Sequence, residues 1–207
     1  MIHTAKDGKV TTLTLDRPDK ANALTEAMLR DLIEGVQKAE DAAALIVTGT
    51  GRVFSAGADL DAARAGLATS PLWEELSGAI AAHPGLSIAA LNGTVAGGAN
   101  GMVLACDLRI AVPGAKLFYP VMKLGFLPQP SDPVRMAALI GAARTKWMLM
   151  AGQKIDTDQA LAFGLVDQIV PAEDLMERAH ALCSDSVAAD PKTARAIKAM
   201  CQVDTRR

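Results

Sequence analysis

Residues 44–59 read ALIVTGTGRVFSAGAD, a short apolar run closed by Gly49-Thr50-Gly51 and followed by a loop of small residues. A run such as Ala44–Thr48, with no polar alternation, is the pattern of a strand buried on both faces. The arrangement returns downstream. Leu86–Leu91 is apolar, stops at Asn92-Gly93, and leads into the small-residue loop Asn92–Gly101. Residues 99–105 have a short helical pattern, and Leu108–Val112 reads as another strand. Upstream, Val10–Leu15 alternates with period two before the turn at Asp16-Arg17-Pro18. Thr25 then opens a helix whose apolar face is Met28, Leu29, Leu32, Ile33 and Val36. The class is α/β, and the front half winds as a β/α spiral.

From Ser131 onward the texture is helical, with segments over 134–140, 143–151, 157–163 and 173–186 and a last helix from Pro191 to Met200. One brief strand, Leu165–Val170, interrupts them. The expected organisation is a single domain over 1–207, with a spiral core over about 1–130 and a helical region over about 131–207. Half the residues are hydrophobic and 21% are charged, which excludes a disordered chain. Lys and Arg total 21 against 23 Asp and Glu, for a net charge of −2, so no field favours nucleic acid or an anionic membrane. No apolar run nears the roughly 20 residues of a membrane helix. The first residues lack the apolar stretch of an export signal. Cys106, Cys183 and Cys201 are odd in number and lack CxxC spacing, which fits reduced thiols and a cytoplasmic protein. Three scattered histidines suggest no metal site.

Chemistry is expected at two loops, Phe54–Asp59 and Asn92–Gly101, each following a strand and opening a helix. Backbone N–H groups at a helix start lack intrahelical partners, and small residues let a ligand reach the main chain. Two such donors converging on one carbonyl oxygen would form an oxyanion hole. The plainer alternative is a pair of tight turns without a ligand. Competing motifs fail on particular residues. Gly49-Thr50-Gly51 begins a dinucleotide fingerprint, but Phe54 stands where the third glycine belongs. No GKS or GKT follows a glycine-rich loop, and Val53 breaks the GxSxG pattern around Ser55.

Taken in order, residues 16–24 (DRPDKANAL), 46–60 (IVTGTGRVFSAGADL), 88–93 (IAALNG), Gly97-Gly98 and 104–110 (LACDLRI) resemble the crotonase (enoyl-CoA hydratase/isomerase) superfamily. Residues 123–125, 139–141 and 160–166 continue the resemblance, which covers the chain from about residue 10 to residue 200. It implies a crotonase-like ββα spiral with a helical C-terminal region, usually assembled as homotrimers or hexamers. It also implies an acyl-CoA thioester as substrate, with coenzyme A part of that substrate and no separate cofactor. The oxyanion-hole N–H groups would fall on Ala58 and Gly98. Ala21, Ala23 and Ala56 match positions bordering the CoA nucleotide, and Gly57, Asp59 and Leu60 belong to the same substrate-binding stretch. Arg17 and Lys20 are candidate phosphate contacts, or solvated surface charges. A bulky side chain at Gly98 is expected to crowd the thioester in a chain that still folds.

The chain departs from the family pattern where hydratases carry two proton-exchanging glutamates. Those positions hold Gly101 and Val121, neither of which carries a proton. Asp132 is the best local candidate to replace them, in a loop near which some relatives, such as dehalogenases, place a catalytic carboxylate. Ser131-Asp132-Pro133 equally reads as a helix cap. Tyr119 reads as a packed side chain or a hydrogen-bond donor, and Asn100 and Gln129 as groups that orient water. His83 is expected in an exposed turn, and Asp107 and Arg109 in structural pairings. Relatives commonly continue through further C-terminal helices, so the pocket is expected to be more open or covered by a neighbouring subunit. The leading expectation is an enzyme acting on a CoA thioester through an enolate. A non-catalytic acyl-CoA-binding homologue is the alternative, and a small Rossmann-like oxidoreductase a distant third.

Overall fold

The structure, a computed structural model, describes residues 1–201. In chain order its elements are β1 (Ile2–Asp7), β2 (Val10–Leu15), α1 (Glu26–Lys38), β3 (Ala44–Gly49), β4 (Val53–Ser55), α2 (Leu60–Arg64) and α3 (Leu72–Ala82). There follow β5 (Leu86–Leu91), β6 (Thr94–Ala96), α4 (Ala99–Ala105), β7 (Leu108–Ala111), β8 (Lys116–Phe118) and α5 (Val121–Leu124). The remainder is α6 (Asp132–Leu149), β9 (Ile155–Asp156), α7 (Thr157–Phe163), β10 (Gln168–Ile169), α8 (Leu175–Leu182), α9 (Ser184–Ala188) and α10 (Pro191–Cys201).

The order strand, strand, helix repeats from β3, β5 and β7. In each turn the first strand enters a six-stranded sheet, β1-β2-β3-β5-β7-β10, and the second enters a four-stranded sheet, β4-β6-β8-β9. Pairing within the spiral is parallel, with Ile46 against Ile88 and Ala89 against Arg109 in the larger sheet and Val95 against Leu117 in the smaller. This is the ββα spiral that the resemblance implies. Successive residues of a strand face opposite sides, so β3 feeds two cores. Leu45 and Val47 join the cluster covered by α1, α3 and α4, whereas Ala44 and Ile46 join one covered by α8 through Leu175 and Ala179.

The turns are set by close approaches of main chain. A Cβ on Gly93, between β5 and β6, would lie 2.1 Å from the Arg52 carbonyl oxygen. Gly57 has φ +88° and its Cβ would meet the Ala96 carbonyl at 2.8 Å, so loop 56–59 rests directly on the end of β6.

Three expectations change. Residues 2–7, unassigned from sequence, form an antiparallel edge strand against β2. β9 is an unexpected edge strand of the smaller sheet, whereas the strand expected at 165–170 is present as the two-residue β10. His83 is 3% exposed rather than in an open turn. One ring nitrogen lies 2.9 Å from the Ala39 carbonyl and the other contacts Gly85. Its burial holds the imidazole below its usual range. The pairings expected of Asp107 and Arg109 are present, Asp107 with Ser87 and Lys198, Arg109 with Asp167 and the Cys106 carbonyl. Among the described residues, no helix is long and apolar enough to cross a membrane, and no three His, Cys, Asp or Glu side chains cluster as metal ligands.

Segment 17–24, which borders the site, is held by Asn22. This residue is fully buried, with φ 52°. Its side chain accepts from the Arg17 N–H and donates to the Thr50 and Val53 carbonyls. Asn22→Ala would leave those groups unpaired in the interior. It should therefore destabilise the protein by about 2–4 kcal/mol, read as a lowered urea midpoint with an unchanged slope.

Candidate active site

The strands bring together loops far apart in sequence. The Ala56 N–H donates to Ala21, the Leu24 N–H to Gly57 at 2.7 Å, and the Asp59 N–H to Leu24 at 2.9 Å. The Gly57 carbonyl and the Asp59 N–H both face Leu24, so extended geometry turns the intervening Ala58 N–H the other way. That N–H has no hydrogen-bond partner among the described residues. Gly98, the residue before α4, is in the same condition. The neighbouring Gly97 N–H reaches the Phe118 carbonyl, but the Gly98 N–H reaches nothing among the described residues.

Both donors line one cavity of about 610 Å³. Its wall is mostly apolar, with Ala21, Ala56 and Ala96 on one side and Phe118, Tyr119 and Val121 on another. At the mouth Leu60 is 74% and Leu127 is 88% exposed, more than isolated apolar residues usually require. Trp73 forms the floor beneath Gly98. It is 4% exposed and its Nε1–H donates to the Leu67 carbonyl at 2.7 Å.

Of the residues singled out from sequence, Ala58, Gly98, Ala21, Ala56 and Leu60 line the cavity, and Ala23, Gly57 and Asp59 do not. Ala23 and Asp59 are joined through Arg17, whose guanidinium donates to the Ala23 carbonyl and, at 2.8 Å, to the Asp59 carboxylate. Arg17 holds the Asp59 carboxyl below the usual range, and Asp59 also caps α2. Ser55 is buried, its hydroxyl donating to Asn22 and accepting from the Gly57 N–H. Asn100 spends its amide on the Gly97 and Phe118 carbonyls, whereas Gln129 lines the cavity.

Asp132 differs most from its sequence reading. It does not cap α6. The helix is tied down by Ser131, which bonds Glu74 of α3, and by Arg135, which donates to Ser77. The Asp132 carboxylate, fully buried, instead accepts the Tyr119 hydroxyl at 3.0 Å, and its Oδ1 has no partner. Burial pushes its carboxyl up to about 6, opposed by the Tyr119 hydrogen bond and the Arg135 charge and reinforced by Glu74. Burial, then the adjacent carboxylate, raises the Tyr119 hydroxyl well above its ordinary value. Tyr119 lines the cavity, and Asp132, which does not, lies behind it.

A family model described as enoyl-CoA hydratase/isomerase matches residues 5–207. The chain belongs to the crotonase (enoyl-CoA hydratase/isomerase) superfamily. Within that superfamily it is similar to YngF of Bacillus subtilis, 35% identical over 208 residues covering 96% of this chain and 80% of the relative. It is also similar to the short-chain-enoyl-CoA hydratase of Clostridium acetobutylicum, 29% identical with 97% of this chain and 82% of the relative covered. Among solved structures, enoyl-CoA hydratase from Bacillus anthracis superposes with a TM-score of 0.89 at 30% identity, covering 95% of this chain and 80% of that one. DspI of Pseudomonas aeruginosa gives 0.89 at 31% identity, with 97% and 86% covered.

Two outcomes follow for this superfamily member. A Cβ on Gly98 would sit 3.0–3.2 Å from the Trp73 ring, so Gly98→Leu carries a packing cost in a chain still expected to fold. The variant should lose about 1–3 kcal/mol from overpacking, with a shifted tryptophan emission maximum, and Trp73→Phe should recover part of the loss. For Asp132, the folded carboxyl stays protonated to about 6, against 3.8 as its ordinary value. The unfolded chain therefore sheds this proton first, and the group's contribution to stability is lost as pH rises through the folded value. The penalty at neutral pH is about 3 kcal/mol. Asp132→Asn should be more stable than the parent at about pH 7.5 and converge with it near pH 4, as measured by denaturant melts.

Proposed function

We propose that this protein processes an acyl-CoA thioester, holding its enolate between the Ala58 and Gly98 N–H groups. The observation that carries this reading is the pair of unengaged backbone donors on two residues that line a single apolar cavity. When the Cα–H bond breaks, its electron pair moves into a Cα–C double bond and negative charge gathers on the thioester oxygen. Fixed N–H donors meet that charge without reorganising, and each is worth roughly 3 kcal/mol in related chemistry. The apolar wall and exposed Leu60 and Leu127 suit an acyl chain, while Ala21 and Ala56 offer bare backbone to the coenzyme A moiety. Arg17 is committed to Asp59, which leaves the exposed Lys20 as the more available phosphate contact of the two.

With Gly101 and Val121 in place of the two glutamates, hydration by a water held between paired carboxylates lacks its acid and base. A double-bond shift that relies on the second glutamate lacks its proton carrier as well, and a reaction that begins with enolate formation by another base fits better. The same two residues favour a second reading, a non-catalytic acyl-CoA-binding homologue. Turnover of a panel of enoyl-, malonyl- and β-ketoacyl-CoA esters separates the two. For the assembled protein we favour a homotrimer or hexamer in the cytoplasm. Exposed Trp147, Met150, Leu161 and Ile197 would gain cover between subunits, and a monomer by light scattering at micromolar concentration would contradict this.

Calorimetry should show acyl-CoA binding and negligible NAD binding. The reverse result would overturn the proposal. Crotonyl-CoA hydration should fall at least about 10²-fold below that of a paired-glutamate hydratase. Fast hydration would mean that Gly101 and Val121 do not remove the acid/base function.

A further inference from the structure

An enolate mechanism has to move a proton, and neither Gly101 nor Val121 can take it. The interior offers another carrier. A Cβ built on Gly101 would lie 3.0 Å from Asp132 Oδ1 and 3.2 Å from Oδ2. The carboxylate thus stands against the open α-carbon where the family pattern has a glutamate. Gly101 lies three residues beyond Gly98, which precedes α4 and borders the cavity, and Tyr119, which also lines it, connects the cavity to the carboxylate. The glycine that removes one carboxylate makes room for another, delivered from α6.

A structural role does not account for Asp132. It accepts no helix N–H and pairs with no cation, since Arg135 is turned to Ser77 and Glu74 is taken by Ser131. Its sole partner is the Tyr119 hydroxyl, and Oδ1 is buried without one. An unpaired buried carboxylate costs stability, and such groups concentrate at functional sites. The groups facing it are Tyr119, Arg135 and Glu74. Together with burial they place its titration where a base is ionised at neutral pH yet readily reprotonated.

We propose that Asp132 takes up and returns the acyl-chain proton through the Tyr119 hydroxyl, which lines the cavity and donates to its carboxylate. This rests on the thioester reading above. The Cα–H proton passes to the Tyr119 oxygen as that hydroxyl's own proton passes to Asp132, and the C–H electron pair enters the enolate. Return of a proton by the same route to Cα, or to the far end of a conjugated system, restores the carboxylate. No oxidant, reductant or second reactant is consumed.

The test is deuterium incorporation at Cα of butanoyl-CoA in heavy water, followed by mass spectrometry, alongside calorimetric butanoyl-CoA binding. The parent should bind and exchange, at a rate rising with pH to a plateau with a midpoint near 6. Asp132→Asn should bind comparably and exchange about 10²–10⁴-fold more slowly, and Asp132→Glu should recover part of the rate. Tyr119→Phe removes the proton's route to the carboxylate and should slow exchange about 10²–10⁴-fold with binding retained. Exchange by Asp132→Asn within twofold of the parent would overturn the assignment. So would binding without exchange in the parent, which leaves the thioester site standing. If Asp132→Asn fails to fold, exchange by Tyr119→Phe within twofold of the parent overturns it instead. A parent that does not bind butanoyl-CoA at all overturns both this proposal and the reading beneath it.

Discussion

Leu24 donates to the Gly57 carbonyl and accepts from the Asp59 N–H, and this two-bond clasp fixes the direction of the Ala58 N–H between them. Both bonds exist because β2 and β3 run parallel and deliver their following loops to the same end of the sheet. Gly57 then presses against the Ala96 carbonyl, which carries the same constraint across to β6 and to Gly98. The two candidate donors are therefore parts of one rigid arrangement of main chain, spanning three segments well separated in sequence. No side chain lends them their chemistry. This is why small residues dominate the site and why its composition alone looks bland.

The side chains matter at the other end of the cavity. There α6 is pinned to α3 by Ser131 and Glu74 and by Arg135 and Ser77, and α3 supplies Trp73 as the floor under Gly98. The same anchoring sets the position of Asp132. A carboxylate held this way needs no long flexible arm to reach its place beside Gly101, because the helix delivers it. Asp132 thus sets a carboxyl group from α6 against Gly101 of α4.

The long strands and the α1 face were legible because their apolar periods extend over five or six residues. The second strand of each turn was not. At three residues apiece β4, β6 and β8 are too short to show a period, so they read as parts of glycine-rich loops. The edge strand Ile2–Asp7 was missed because all of it but Ile2 is exposed, leaving no hydrophobic alternation to detect. His83 was misread because Pro84-Gly85 signals a turn and says nothing of whether the Ala39 carbonyl waits beneath it. Ser131-Asp132-Pro133 carries a real helix-start signal, and α6 does begin there. Only the long-range partners Glu74 and Tyr119 decide that neither side chain caps the helix. Backbone donors at Ala58 and Gly98 were accessible from sequence through resemblance, whereas the floor residue Trp73 emitted no signal at all.

Gly93 bears on how such a chain can change in length over evolution. Its α-carbon crosses the Arg52 backbone too closely for any side chain, so the corner between β5 and β6 works as a fixed ruler. One residue inserted there would slide β6 along β4 by about 3.3 Å and turn its faces over, carrying Gly98 out of alignment with Ala58. The stretch from Ala63 to Ala68 obeys no such rule. It is largely exposed, yet Ala63, Arg64 and Ala68 reach the cavity wall. Lengthening here would reshape the space available to a ligand while leaving both donors where they are. Variation in what the pocket admits and invariance in where charge is met are thus assigned to different stretches of backbone.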